Sequence, residues 1–177
     1  MRGRHVYADE SKRAGYVVAA VEVDASQVAA VRRVVAGLRA AGTKRVHFQS
    51  ESDGARRRFL AELTHLHMAG QLSARLYISE EPRDLDARIA ILDRLVRDLV
   101  ATGGARLILE RDDSTIVDDQ RAIRAARASA ADLVRFDHMR AADEPLLWPP
   151  DAIAWAWYRD RAWRALVDSI VDGVPKA

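Results

Sequence analysis

Hydrophobic and polar positions follow two different rhythms along this chain. Residues 4–9 ("RHVYAD") and 15–23 ("GYVVAAVEV") are short apolar runs, and the link "ESKRAG" between them carries Gly15, which suits a hairpin. The period then lengthens. Residues 26–41 read as a helix, capped by Ser26 and ended by Gly42. "TKRVHFQ" (43–49) is a short extended piece. Ser52 or Asp53 caps a second helix over 54–69, which Gly70 stops, and "SARLYIS" (73–79) is a third strand. Across 83–102, Leu85, Ile89, Leu92, Leu95, Val96 and Leu99 recur at helical spacing. After Gly103-Gly104, "ARLILE" (105–110) is too short for a helix and reads as a strand buried on both faces. Ser114 opens a helix to about Ala128, and "ADLVRFD" (131–137) is the last strand. The loop "HMRAADEPLLW" leads through Pro149-Pro150 into a terminal helix, 151–171.

A hairpin followed by alternating helices and strands predicts one α/β domain over residues 1–177. Its sheet should be mixed, helices should cover it, and helix crossovers should make the later strands parallel. No internal repeat, linker or low-complexity tract interrupts it. With 49% hydrophobic and 31% charged residues, the chain can build an ordinary core.

The net charge of +2 does not by itself argue for a polyanionic partner. The lysines are Lys12, Lys44 and Lys176, and the other basic residues are arginine. That bias suits bidentate phosphate contacts and follows equally from GC-rich coding. The absence of cysteine excludes disulfides, thiolate metal sites and a cysteine nucleophile. "MRGRHVYADES" lacks the apolar run of a signal peptide, and no stretch of about 18 apolar residues could span a bilayer. No membrane association and a cytoplasmic location are therefore expected. Walker-type, G-x-S-x-G and G-x-G-x-x-G motifs are missing, so ATPase, α/β-hydrolase and dinucleotide-binding readings lack support.

Candidate chemistry lies in acids at element edges. Asp9 follows the first strand, Glu110 and Asp137 end later ones, and Asp151 begins the last helix. Ligands collect at the carboxyl ends of parallel strands, so Asp9, Glu110 and Asp137 are candidates for one rim. Strand parity puts His5, Tyr7 and Asp9 on one face and Val6, Ala8 and Glu10 on the other. Asp9 is accordingly taken as the ligand, and Glu10 as a turn residue or supporting acceptor. Positions 151, 155, 158, 162, 166 and 170 read Asp, Trp, Tyr, Ala, Leu, Ile, so Asp151 starts the helix's apolar stripe. A first-turn acid also complements the helix dipole, by a few tenths to about 1 kcal/mol, and taken alone that explains Asp151.

"YADES", "KRVHF" and "PLLWPPDAIAW", in that order, resemble the bacterial and phage domain-of-unknown-function 3800 family of the ribonuclease H-like superfamily. Pro149-Pro150 depart from the apolar residue and alanine usual there. The resemblance implies a five-stranded mixed sheet, an N-terminal antiparallel hairpin with later strands parallel, and helices on both faces. It also implies a metal-dependent nuclease acting on DNA or RNA. Asp9, Glu110 and Asp151 match, one by one, the acids that superfamily nucleases carry on the first strand, the end of the fourth and the last helix. Their order is similar to that of Holliday-junction resolvases. Some members add a glutamate from the helix after the antiparallel strands. Here the acids of 83–102 are Asp84, Asp86, Asp93 and Asp98, and none stands out. Asp112 is a further metal-ligand candidate, replacing or assisting Glu110.

On that reading two Mg²⁺ or Mn²⁺ ions about 3.5–4 Å apart neutralise the attacking and leaving oxygens. Asp9 bridges them, and Glu110 and Asp151 each hold one. Without metal the clustered carboxylates repel and at least one pKa rises. His47 is a proton shuttle with Lys44 and Arg45 on the nucleic-acid backbone, or a surface histidine among basic residues. His65 and His67, about 200° apart around a helix, cannot share a metal. The four tryptophans serve core or interface packing, with Trp148 or Trp157 as base-stacking candidates. Two alternatives remain: a catalytically inactive module on the same fold, and a homodimer pairing through the tryptophan-rich end.

Overall fold

The computed structural model describes residues 3–12, 15–130 and 132–177. Met1, Arg2, Ala131 and the hairpin-link residues Arg13 and Ala14 lie outside them. Strands β1 (Arg4–Ser11) and β2 (Tyr16–Asp24) pair antiparallel, with Tyr7 opposite Val21 and Asp9 opposite Ala19. Helices α1 (Val28–Gly37) and α2 (Asp53–Met68) follow, and β3 (Leu72–Ser79) adds antiparallel to β2. Crossover through α3 (Asp84–Ala101) brings β4 (Ala105–Glu110) parallel to β1, and α4 (Ile116–Arg127) brings β5 (Val134–Met139) parallel to β4. The chain ends in α5 (Trp148–Arg159), α6 (Arg161–Arg164) and β6 (Val171–Gly173), which pairs parallel with β3. The sheet order is β5-β4-β1-β2-β3-β6.

Period-two alternation divides the core into two layers. Tyr7, Val17, Ala19 and Val21 pack with α1, α2 and α5 on one face of the sheet. Val6, Ala8, Val18 and Ala20 pack with α3 and α4 on the other. The expected mixed α/β architecture is present, but with six strands rather than five.

The expected terminal helix, 151–171, stops at Arg159, and the extra strand begins at its last expected residue, Val171. Asp160 turns extended (φ −167°), and its Oδ1 accepts the Trp163 N–H at 3.0 Å, capping α6 instead of continuing α5. Val167 and Ile170 stay buried, so the apolar spacing survives although the helix does not. At its other end α5 begins before Asp151, with Pro149 and Pro150 in the first turn, where no N–H is required. Strand β5 ends at Met139, not Asp137. No helix among the described residues is long and apolar enough to cross a membrane.

Gly104 sets the turn from α3 into β4. Its φ is +92°, and a Cβ there would sit 2.3 Å from the Leu133 carbonyl oxygen, beside the 2.9 Å Ala105–Leu133 backbone hydrogen bond. Gly104→Ala is therefore expected to cost about 2 kcal/mol or more, from left-handed strain plus the clash. Urea denaturation checks it; an unchanged midpoint would show that the turn is free to relax.

Candidate functional site

The carboxyl ends of β1 and β4 lie side by side. Ala8 pairs with Leu109, so the next residues, Asp9 and Glu110, are neighbours at the sheet edge. Asp9 leans to the Tyr7 side, toward α5, and its Oδ1 accepts the Glu10 N–H at 2.8 Å. Asp151 enters from the first turn of α5, where its Oδ2 accepts the Phe48 N–H at 3.4 Å. Arg45 donates to Glu110 Oε1 at 3.1 Å. With His47 and Glu10, these residues line one polar cavity of about 220 Å³.

Charge is concentrated there. Burial pushes the Asp9 carboxyl well above the usual carboxylate range. Glu110 and Asp151 push the same way, Glu110 also through a side-chain hydrogen bond, and Arg88 opposes them. Burial also raises Asp151, with Glu110 adding to it; the Phe48 N–H, His47 and Arg45 pull the other way. Among the described residues no three His, Asp or Glu side chains close on a single point as a metal cage.

Other candidates lie elsewhere. Lys44 is exposed and does not line the cavity. Asp112 accepts the Ser114 N–H at 2.9 Å and the Ser114 hydroxyl at 2.6 Å, a local turn that holds its carboxyl below the usual range. Asp137, inside β5, takes both Nε (3.0 Å) and Nη2 (2.8 Å) of Arg106 on the neighbouring strand. Of the α3 acids, Asp86 pairs with Arg83, Asp93 with Arg97, Asp98 with Arg94, and Asp84 lies 3.7 Å from Lys12. Three tryptophans, Trp148, Trp155 and Trp163, are buried within the chain, and Trp148 donates to the Ala141 carbonyl at 2.7 Å. Most of the tryptophan-rich end is thus taken up by packing within the chain.

Two ion-pair groups escaped the sequence. Arg88, on α3, is 4% exposed and forks onto Asp119 of α4, Nε to Oδ1 at 2.5 Å and Nη2 to Oδ2 at 2.8 Å. It also meets Glu10 and the Tyr16 hydroxyl, and His138 Nε2 lies 2.9 Å from Asp119 Oδ2. Glu10, which also lines the cavity, is anchored on this group through Arg88. Burial disfavours the Asp119 carboxylate, but Arg88 and His138 outweigh it and hold Asp119 below its usual range. The second group fixes the approach to α5. Arg32 forks onto buried Glu144 at 2.9 and 2.8 Å, and Glu144 caps the turn before α5 by accepting the Leu146 N–H at 3.1 Å.

No protein-family model matches the chain, nor does any curated protein sequence. A structural match does exist, to the ribonuclease HII of Archaeoglobus fulgidus, solved in complex with PCNA. It has a TM-score of 0.54 and 18% sequence identity, and it covers 95% of this chain and 78% of that one. The fold is ribonuclease H-like. The expected ribonuclease H-like fold is therefore present, while the domain-of-unknown-function 3800 assignment gains no family-model support.

Proposed function

We propose that the chain is a metal-dependent nuclease that hydrolyses phosphodiester bonds in DNA or RNA. One observation carries this reading: Asp9 is half-buried beside Glu110 at the carboxyl ends of two parallel strands and lines an open polar cavity with Asp151. Such a cluster is costly for folding alone, and a hard cation relieves the repulsion. The all-oxygen donor set fits Mg²⁺ or Mn²⁺. These ions commonly take only one or two protein carboxylates and complete their shell with water and phosphate, so a closed three-residue cage is not required.

Asp9, Glu110 and Asp151 would hold the cations, with Asp9 shared. When bound, the cations supply charge neutralisation at the attacking and leaving oxygens. His47, exposed at the cavity mouth, is placed to pass a proton to the leaving oxygen. Arg45 is placed to exchange Glu110 for a phosphate oxygen. Lys44, one residue further out, is left with a backbone contact outside the cavity.

A second reading, a binding module without chemistry, is favoured by one fact: Arg45 already neutralises Glu110. Metal separates the two. In the nuclease, Mn²⁺ at about a hundredfold over its Kd stabilises the fold by about 2.7 kcal/mol, and the effect disappears in Glu110→Gln/Asp151→Asn. Cleavage of single-stranded, duplex or branched DNA or RNA should appear with Mn²⁺ and stop with EDTA. A melting curve indifferent to Mn²⁺, together with intact substrates, would leave only the binding module.

A further inference from the structure

The corner formed by the start of α2, the end of α5 and α6 carries arginines laid over tryptophan rings. Arg56 lies 4.5 Å and Arg159 5.6 Å from the Trp155 ring centre, Arg57 4.7 Å from Trp163, and Arg164 3.8 Å from Trp157. Trp155 and Trp163 are buried and meet edge to face with centroids 5.1 Å apart, a rigid floor for the guanidinium groups. Arg57, Arg58, Arg159 and Arg161 are exposed, and among the described residues none has a carboxylate within ion-pair distance. Two further arginines of the corner are ion-paired, Arg56 with Asp53 at 2.7 Å and Arg164 with Asp168 at 3.8 Å, as Arg94, Arg97 and Arg121 on α3 and α4 are with aspartates of their own helices.

The patch is joined to the cavity. Trp155 stands one turn along α5 from Asp151, about 6 Å, and Arg159 two turns, about 12 Å. Arg56 also donates to the carbonyls of Phe48 (2.9 Å) and Gln49 (2.5 Å), and the Phe48 N–H is the one that Asp151 accepts.

We infer that this corner binds the sugar-phosphate backbone of a nucleic-acid strand leading into the carboxylate cavity. The inference rests on the phosphodiester-cleaving reading and adds to it a path for the polymer. A ring-stacked guanidinium still presents its N–H edge, which matches phosphate oxygens. A lipid surface would need apolar side chains to insert, and none of the exposed large apolar residues falls in segments 56–58 or 157–164.

The test is fluorescence anisotropy of a labelled single-stranded oligonucleotide in EDTA, so that no cleavage intervenes. Arg57→Gln/Arg159→Gln/Arg161→Gln should weaken binding at least about tenfold and flatten the salt dependence by roughly 2 in log–log slope. Arg94→Gln/Arg97→Gln/Arg121→Gln, on the opposite side of the sheet, should stay within about twofold of wild type. If the first triple variant unfolds, Arg161→Gln alone, which covers no ring, should still weaken binding by about two- to threefold. Equal losses in both triple variants, no wild-type binding, or displacement by polyglutamate as readily as by unlabelled oligonucleotide would each overturn the inference. Cleavage with Mn²⁺, assayed separately, tells whether the catalytic reading falls with it.

Discussion

Asp9→Asn is expected to abolish cleavage and, in metal-free buffer at neutral pH, to make the protein more stable. The amide keeps the shape of the carboxylate, and its carbonyl can still accept the 2.8 Å hydrogen bond from the Glu10 N–H. What it removes is charge. If the shared ligand supplies several kcal/mol of transition-state stabilisation through the cations, its loss slows turnover by about a thousandfold or more. The stability gain follows from the raised Asp9 pKa. Below the unfolded-state value both states hold the proton and the group contributes nothing. As pH rises from there, the folded state keeps a proton that the unfolded chain has lost, so stability falls until pH passes the raised folded value. The Asp9→Asn variant has no such penalty, and its amide N–H can donate to Glu110 in place of the Asp9 side-chain hydrogen bond. Urea midpoints in EDTA at acid and neutral pH check the sign: the advantage of the variant must widen as pH increases. A variant less stable than wild type at neutral pH would mean that Asp9 is no unfavourable charge, and the case for a cation-binding cluster would fail with it.

The same residues show how far the sequence reaches. Parity alone separated Asp9 from Glu10, because neighbouring strand residues must face opposite ways, and the structure pairs Glu10 with Arg88 of α3. Glu110 was legible as the last residue of an apolar run too short to be a helix, and Asp151 as an acid on an otherwise apolar stripe. Asp137 misled because β5 runs two residues further, leaving it inside a strand with its carboxylate paired to Arg106 of β4. Strand β6 was hidden because Ile170 also fits helical spacing, and three residues carry no period of their own. The break at Asp160 had a local signal, an acid able to cap the segment that follows it, outweighed by the continuing apolar positions. The contact between Asp151 and the Phe48 N–H is long-range, and no local pattern encodes it.

Arg88 had a signal that went unused. It falls at i, i+4, i+7 and i+11 with Leu92, Leu95 and Leu99, so a cation stands on the buried stripe of α3 and must meet acids inside. Arg88→Met should therefore be the most damaging single change outside the cavity. It leaves Asp119, 1% exposed, and Glu10 without their shared cation, which for a broken buried pair costs about 3–5 kcal/mol. At about 2–4 °C per kcal/mol for a chain of this size, the melting point drops by roughly 10 °C. Asp119 fixes the pH dependence. In wild type its pKa is held below the usual value, so its favourable contribution is present at neutral pH and is lost as pH falls through the lowered pKa. Without Arg88 the buried carboxylate becomes a penalty that protonation removes, so the deficit of the variant shrinks toward acid pH. Arg88→Met/Asp119→Asn/Glu10→Gln should recover much of the loss, because uncharged groups of similar volume replace a buried ion network at little cost. Melting points of the single and triple variants across pH decide it. A single variant that melts within about 2 °C of wild type at neutral pH would mean that water reaches this network, and that Glu10 does not depend on it to hold the end of β1 beside Asp9.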